Sequence, residues 1–394
     1  DTLDGWFDSG STHFAAMERD QHFWPATMYI EGLDQYRGWF QSSLLVAVGA
    51  LGRGAPFKEC VTHGWTVDGE GKAMHKSLGN GMDPAEIFDK YGADLLRLWA
   101  GSADYHVDVR CSDEIFKQLS QNYLKFRNTC KFCLDNLVGF DADHLVQPDE
   151  MLPLDKWAVT RLNTLIEKVF AAYDNYEFHV VSHMVNDFCV VDLSSFYFDI
   201  IKDRLYCGEE NSPERRSAQS AVWMILDAMT RLFAPILAFT CDEVWLAMPH
   251  RAGDDARNVL LNQMVQPYAA YALSEEEMGK WARLAALRTA VNGALEQARA
   301  DKTIGKSLEA EVDLTVTAED AFLTDMDAAD LADLLIVSQV RVEVGAELTV
   351  AVRPANGAKC LRCWKVLPTV GSDAGHPDLC PRCAAVVKNL PVIE

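Results

Sequence analysis

The sequence predicts a multidomain chain. A partial α/β half with parallel strands comes first, then an antiparallel α-helical bundle, then a small α+β C-terminal region closed by a zinc-binding unit. Three observations predict this. Strand-like and helix-like stretches alternate over residues 1–105, apolar residues recur at steps of three and four from Ser112 to about Pro249, and two Cys-x-x-Cys knuckles close the chain. At 394 residues there is room for two or three domains of roughly 150 residues. The expected boundaries are 1–105, 106–272, 273–353 and 354–394.

Taken in order, Ala26–Glu31 reads as a short strand, Gly38–Leu51 as a helix and Phe57–Val67 as strand. A polar loop, Asp68–Gly81, leads to a helix start with Asp83 able to cap, Pro84 at the first position and Glu86 at the third. Strand, helix, strand, loop, helix is the order of a parallel sheet, here about half of a doubly wound domain. In the bundle, Ile115, Leu119, Tyr123, Phe126, Cys130, Cys133 and Leu137 mark one helix face. Further helices read as Leu154–Tyr173, Phe178–Tyr206 and Pro213–Met248, the last kinked by Pro235. An amphipathic helix, Ser274–Ala300, leads to strands at Leu308–Val316, Leu334–Val340 and Val342–Val352, with an acidic helix between the first two.

Hydrophobic residues make 49% of the chain and charged residues 24%, which excludes long disorder and collagen-like structure. The longest apolar run, Leu44–Leu51, is far short of the roughly 20 residues a membrane helix needs. No basic-then-apolar leader is visible, so a cytoplasmic protein without a membrane partner is expected. The chain opens on Asp1 rather than Met, which sets the expectation of a fragment or a processed product. A net charge of −22 argues against a general basic coat for nucleic acid. A local basic face is enough, however, and residues 353–390 carry six Lys/Arg against two Asp/Glu. Residues 309–344 hold ten acids and one Arg.

Of eleven cysteines, Cys60, Cys111, Cys130, Cys133, Cys189, Cys207 and Cys241 are scattered; most sit among apolar neighbours and read as small buried thiols of a reducing compartment. Cys130 and Cys133 share a helix face with no second pair nearby, so core packing is preferred to metal or redox chemistry. The remaining four, Cys360, Cys363, Cys380 and Cys383, form knuckles separated by 16 residues. They can offer four thiolates tetrahedrally to one structural zinc ion. A pair of disulfides is the alternative, disfavoured in a reducing compartment, and His376 lies between the knuckles as a competing ligand.

The loop Gly69-Glu70-Gly71-Lys72-Ala73-Met74-His75-Lys76-Ser77-Leu78-Gly79-Asn80 bears two lysines and runs into a capped helix. Lysine charges on such a loop suit a polyphosphate whose charge shifts during reaction. Its Lys-Ser-Leu-Gly-Asn run, followed by Asp83-Pro84 and Tyr91-Gly92-Ala93-Asp94-Leu95-Leu96-Arg97, resembles the second signature of class I aminoacyl-tRNA synthetases. Asp1-Thr2-Leu3-Asp4-Gly5-Trp6-Phe7-Asp8-Ser9-Gly10-Ser11-Thr12-His13 resembles the strand that re-enters their catalytic domain after the editing insertion. Tyr29-Ile30-Glu31-Gly32-Leu33-Asp34-Gln35-Tyr36-Arg37-Gly38-Trp39-Phe40 resembles the adenylate-binding segment of the bacterial-type isoleucyl-tRNA synthetase family. Ser195–Arg204, Gln297–Lys302 and the four-cysteine unit are similar to the same family, so the resemblance spans nearly the whole chain.

That resemblance implies a Rossmann-like catalytic half, an anticodon-binding bundle and a zinc unit. It implies ATP-dependent activation of isoleucine to isoleucyl-adenylate and transfer to tRNA(Ile), with Mg²⁺ accompanying ATP, in a monomer. Glu31 would bind the aminoacyl-adenylate through its ammonium group, with Gly32, Asp34 and Gln35 on the adenosine side. Trp6 and Trp39 would wall the isoleucine pocket, core packing being their alternative. Lys76 would bind the ATP phosphates as the catalytic lysine. Arg362, Lys365, Arg382 and Lys388 are the candidate tRNA contacts at the zinc end. The sequence also departs from the family. Ala73-Met74-His75-Lys76-Ser77 stands where Lys-Met-Ser-Lys-Ser is usual, Gly5 stands for a larger apolar residue, and Tyr36 stands for His. No HIGH-like segment is present, so the isolated chain is expected to be inactive. The rival reading is a non-catalytic tRNA-binding protein, or a degenerate paralogue derived from a synthetase.

Overall fold

The computed structural model describes residues 2–21 and 23–390, apart from the side chains of Gln21 and Lys76. Two units are distinct, Asp1–Tyr123 with Ala172–His183 and Leu124–Ala171 with Met184–Glu394.

The first unit opens with α1 (Gly5–Gly10), a wide π-type turn at His13–Glu18 and α2 (Arg19–Gln21). The segment expected as a re-entering strand is therefore helical. The cause is local: the Asp4 carboxylate caps α1 by accepting from the Trp6 N–H at 2.8 Å. The hydroxyls of Ser9, Ser11 and Thr12 each donate to a carbonyl three residues back, which suits a helical turn. β1 (Ala26–Gly32) and β2 (Phe57–His63) are parallel, with Ala26 opposite Phe57 and Gly32 opposite His63. α3 (Trp39–Leu45), prolonged by a wide turn at Val46–Ala50, lies between them in sequence, as a parallel pair requires.

The expected strand Phe57–Val67 is two strands. Gly64 N–H donates to the Tyr105 carbonyl and Trp65 N–H to the Asp108 carboxylate, both at 2.8 Å, so neither serves the β1 ladder. The chain resumes as β3 (Thr66–Val67), parallel to β4 (Val109–Arg110). Between them come α4 (Pro84–Tyr91), capped by the Asp83 carboxylate on Ala85 N–H at 2.9 Å, and α5 (Ala93–Ser102). Buried Ile87, Cys111 and Phe116 hold this end together, with Met74, Met82 and Trp99 packed against them.

Long helices follow: α6 (Asp113–Asn136), α7 (Pro153–Asp174) and α8 (Phe178–Asp187). A π-type stretch, Phe188–Tyr197, runs into α9 (Phe198–Cys207), and α10 (Pro213–Phe233) and α11 (Ala238–Ala247) complete the set. In the second unit α10 is buried nearly all round from Ser217 to Phe233, which makes it the centre of the bundle. Phe132 stacks on Phe198 at 4.3 Å and Phe126 meets Phe233 edge-on at 5.0 Å. Asp155 of α7, fully buried, accepts from Tyr197 Oη at 2.7 Å, Ser217 Oγ at 2.6 Å and Arg204 Nη1 at 3.3 Å. Pro235 breaks the helix instead of kinking it: α10 ends at Phe233, and Leu237, at φ −100° and ψ 63°, precedes a separate α11. Cys111, Cys130, Cys133, Cys189, Cys207 and Cys241 are buried thiols, whereas Cys60 is exposed on β2. Burial pushes Cys130 and Cys133 well above the usual thiol range and Cys189 up to about 12, as inert core residues require.

α12 (Glu275–Ala300) starts at a capping box of Ser274 and Glu277. Beyond it β5 (Ala310–Val316) is the centre of a three-stranded sheet, parallel to β6 (Gln339–Val344) and antiparallel to β7 (Thr349–Pro354). α13 (Ala328–Leu335) lies between β5 and β6. The expected strands Leu334–Val340 and Val342–Val352 are thus divided differently. Leu334 and Leu335 finish α13, whose end is set by Ile336 in the left-handed region at φ 56°. One strand then runs through 340–342, and the turn falls over 345–348 instead. β8 (Ala358–Lys359) pairs with β9 (Val366–Leu367), and α14 (Pro381–Asn389) ends the described chain. Among the described residues no helix is long and apolar enough to cross a membrane.

Candidate active site and metal centre

The expected adenylate-binding residues gather at the carboxyl end of β1, where ligands of open α/β sheets bind. Glu31 is exposed there, opposite Thr62, and among the described residues nothing hydrogen-bonds its carboxylate. A Cβ on Gly32 would meet Asp34 Oδ1 at 2.8 Å and displace that carboxylate, with His63 Cε1 and Trp65 Cη2 each 3.7 Å away. His63, the last residue of β2, and Trp65, two residues on, therefore border the same spot, although the sequence motifs assign them no role. Gln35 holds two partners: its amide donates to Asp34 at 3.0 Å, and its carbonyl accepts the Trp39 N–H at 2.9 Å at the start of α3. Tyr36 Oη lies 3.2 Å from Thr62 Oγ1.

The two tryptophans differ. Trp39 is half-buried, stacks on Tyr29 at 4.3 Å and donates its indole N–H to the Ser9 carbonyl at 2.9 Å. Trp6 is 48% exposed, with its ring edge 3.2 Å from the point where a Gly38 Cβ would stand. A Cβ on Gly5 would meet nothing within 4 Å, so the larger residue usual there is not required by packing.

The loop after β3 is organised by two residues that sequence reasoning gave no role. Asp68 accepts from Glu70 N–H at 3.0 Å, from Lys72 N–H at 2.8 Å and from the Asn80 amide at 2.8 Å. The Lys72 N–H, then Asn80, hold its carboxyl below the usual carboxylate range. Asn80 also accepts from His75 N–H at 2.9 Å, closing the loop from the other end. Lys72 is ion-paired with Glu70 at 2.6 Å, so its charge is already engaged. Lys76 opens the short turn Lys76–Leu78, and its side chain lies outside the described part of the structure.

Cys360, Cys363, Cys380 and Cys383 are buried, with their sulfurs all within 4.8 Å of one another; His376 is not in the group. Cys363 Sγ and Cys380 Sγ are 3.9 Å apart. Tetrahedral zinc with Zn–S of roughly 2.3 Å sets its sulfurs roughly 3.8 Å apart, so the cradle fits one structural ion. β8 and β9 bracket the first knuckle, and the second opens α14, with Cys380 as cap and Pro381 at the first position. Burial raises the Cys360 thiol, but the N–H groups of Cys363, Cys380 and Arg362 outweigh it and bring it down to about 6.

The four cations expected to face tRNA are each committed to this chain. Arg362 donates to the Cys207 and Tyr206 carbonyls, and Arg382 pairs with Asp203 at 2.8 Å. Lys365 pairs with Asp333 and Lys388 with Asp373. Arg362 and Arg382 thus tie the zinc unit to α9, while Lys388 pairs within the unit itself. Cys207 packs with the four zinc cysteines and is pushed up to about 11, chiefly by burial.

Comparison with known proteins covers the same ground. Residues 1–112 match the family of class I tRNA synthetases (I, L, M and V), residues 155–314 the anticodon-binding domain of tRNA ligase, and residues 357–386 the zinc finger found in FPG and IleRS. The isoleucine–tRNA ligase of Geobacter sulfurreducens is 47% identical over 403 residues, covering 98% of this chain and 43% of that protein. That of Moorella thermoacetica is 46% identical over 407 residues, covering 99% and 43%. The chain thus spans less than half the length of these curated relatives. In fold it is similar to the LeuRS of a LeuRS–tRNA–LeuAMS complex from Agrobacterium radiobacter, with a TM-score of 0.52 at 16% identity over 91% of this chain and 37% of that one.

Proposed function

The chain belongs to the isoleucine–tRNA ligase family of class I tRNA synthetases, and from that membership we propose that it supplies the loop-bearing catalytic part of an enzyme that makes isoleucyl-adenylate from isoleucine and ATP and transfers the isoleucyl group to tRNA(Ile). In this reading Glu31 takes the substrate ammonium, and Gly32, Asp34 and Gln35 line the adenosine. Trp6 and Trp39 wall the isoleucine side chain, and Lys76 holds the phosphates of Mg²⁺-bound ATP. The zinc ion is structural. Residues 1–105 form the catalytic part, 106–272 the anticodon-binding bundle, 273–353 a linking α+β region and 354–394 the zinc unit. The observation that carries the reading is an exposed Glu31 carboxylate, without a partner among the described residues, beside Gly32 and Asp34 at the carboxyl end of a parallel strand pair. We also propose a cytoplasmic monomer, in keeping with the scattered buried thiols of the core.

A second reading, a tRNA-binding protein without catalysis, is favoured by one observation: the loop carries Ala73 and His75, and its Lys72 is paired with Glu70. A chimera separates the two, with this chain replacing the matching 43% of the Geobacter relative. Isoleucine-dependent ATP–pyrophosphate exchange is expected. Lys76→Ala should lower its rate roughly a hundredfold, the cost of about 3 kcal/mol for one charge-assisted transition-state contact. A chimera that binds tRNA but exchanges nothing supports the second reading. Full activity in Lys76→Ala removes Lys76 from the mechanism.

A further inference from the structure

Arg110 ends β4, the parallel neighbour of β3, and β3 leads directly into the loop at Asp68. It therefore stands at the ligand-binding end of its strand. It pairs in register with Val67, which bridges Ala73 on its other side, so Arg110 and Ala73 flank one residue about two strand spacings apart. The guanidinium folds over the turn that begins the loop. Nη2 is 3.6 Å and Nε 3.8 Å from the point where a Cβ on Gly71 would stand, and Gly71 itself holds φ at +85°. The backbone carbonyl of Arg110 takes the Trp99 indole N–H at 2.9 Å, yet among the described residues no hydrogen bond or ion pair engages its exposed guanidinium. Lys72, one residue from Gly71, already has a carboxylate partner in Glu70.

We infer that Arg110 is a second cationic ligand of the loop site, taking a phosphate group of the nucleoside triphosphate beside Lys76. The inference rests on the loop reading given above. A triphosphate carries more charge than one lysine neutralises, Lys72 is engaged, and Ala73 has no charge to offer. A guanidinium presents a planar fork that meets phosphate oxygens two at a time. Its backbone is held in the strand pair, outside the loop.

The test uses the 394-residue chain and inorganic tripolyphosphate, followed by titration calorimetry at two salt concentrations. Saturable binding is expected, weakened at least tenfold in Arg110→Gln with a shallower salt dependence, and partly recovered in Arg110→Lys, all at an unchanged melting temperature. If Arg110→Gln binds like the parent while Lys76→Ala is weakened, the inference falls and the loop reading stands. If the parent binds nothing, or neither variant is weakened, both fall. If Arg110→Gln and Arg110→Lys lose binding equally and melt earlier, the arginine only props the turn, which overturns the inference. A short RNA hairpin is the second probe: loss of hairpin binding with tripolyphosphate binding intact assigns the cation to nucleic acid and overturns it as well.

Discussion

Asp68 shows how much one side chain can organise without touching a substrate. It gathers two N–H groups of its own turn and the amide of Asn80, twelve residues on, so both ends of the loop hang on one carboxylate. Asp68→Ala should release both ends. The expected result is faster hydrogen exchange at the Lys72 and His75 amides and new protease cutting within 69–80, with the melting temperature of the helical bundle unchanged; unaltered exchange there would deny Asp68 this role. Part of the site was legible from residue chemistry alone. Cysteine spacing is local and unambiguous, and the four thiols converge as it implies. The loop cations were legible as types but not as states, because whether Lys72 is free depends on where Glu70 points. Arg382 and Asp203 are 179 residues apart, and no local pattern announces their pairing.

At the level of elements, caps and periodicity were readable, and breaks between elements were less so. Asp83 and Ser274 start their helices as their sequence context implies. The end of α13 at Ile336 depends on a left-handed residue that is not glycine, so the strand beyond it was misplaced. The joint of α7 with α9 and α10 gives a pH prediction. Burial raises the Asp155 carboxyl above its ordinary value, against the opposing pull of Arg204, Ser217 and Tyr197. A carboxyl raised on folding contributes stability below its unfolded value of about 3.9, and that contribution is lost as pH climbs through the raised folded value. Urea unfolding of wild type and Asp155→Asn across pH 4 to 8 isolates it. The wild type should lose ground to the variant as pH rises, and a constant difference would show that Asp155 titrates as it does in the unfolded chain.

For the molecule as a whole, the zinc unit is held by its metal and by the second unit's own helices together. Chelation should unfold 357–386, with protease sensitivity confined to the end of the chain and most helical signal retained, since structural zinc contributes on the order of 10 kcal/mol to such small units. A chelated protein that resists protease there would show that the knuckles stand without metal. The placement of Arg362 and Arg382, one inside each knuckle and both reaching α9, carries a thermodynamic corollary. Metal binding and docking on α9 are linked equilibria, so each must change the other by the same factor. If zinc tightens docking tenfold, docking tightens zinc tenfold. Asp203→Asn, which touches none of the four zinc sulfurs, should then raise the zinc dissociation constant by up to that factor, and a competing chelator would report the condition of a bundle helix through the metal it does not bind.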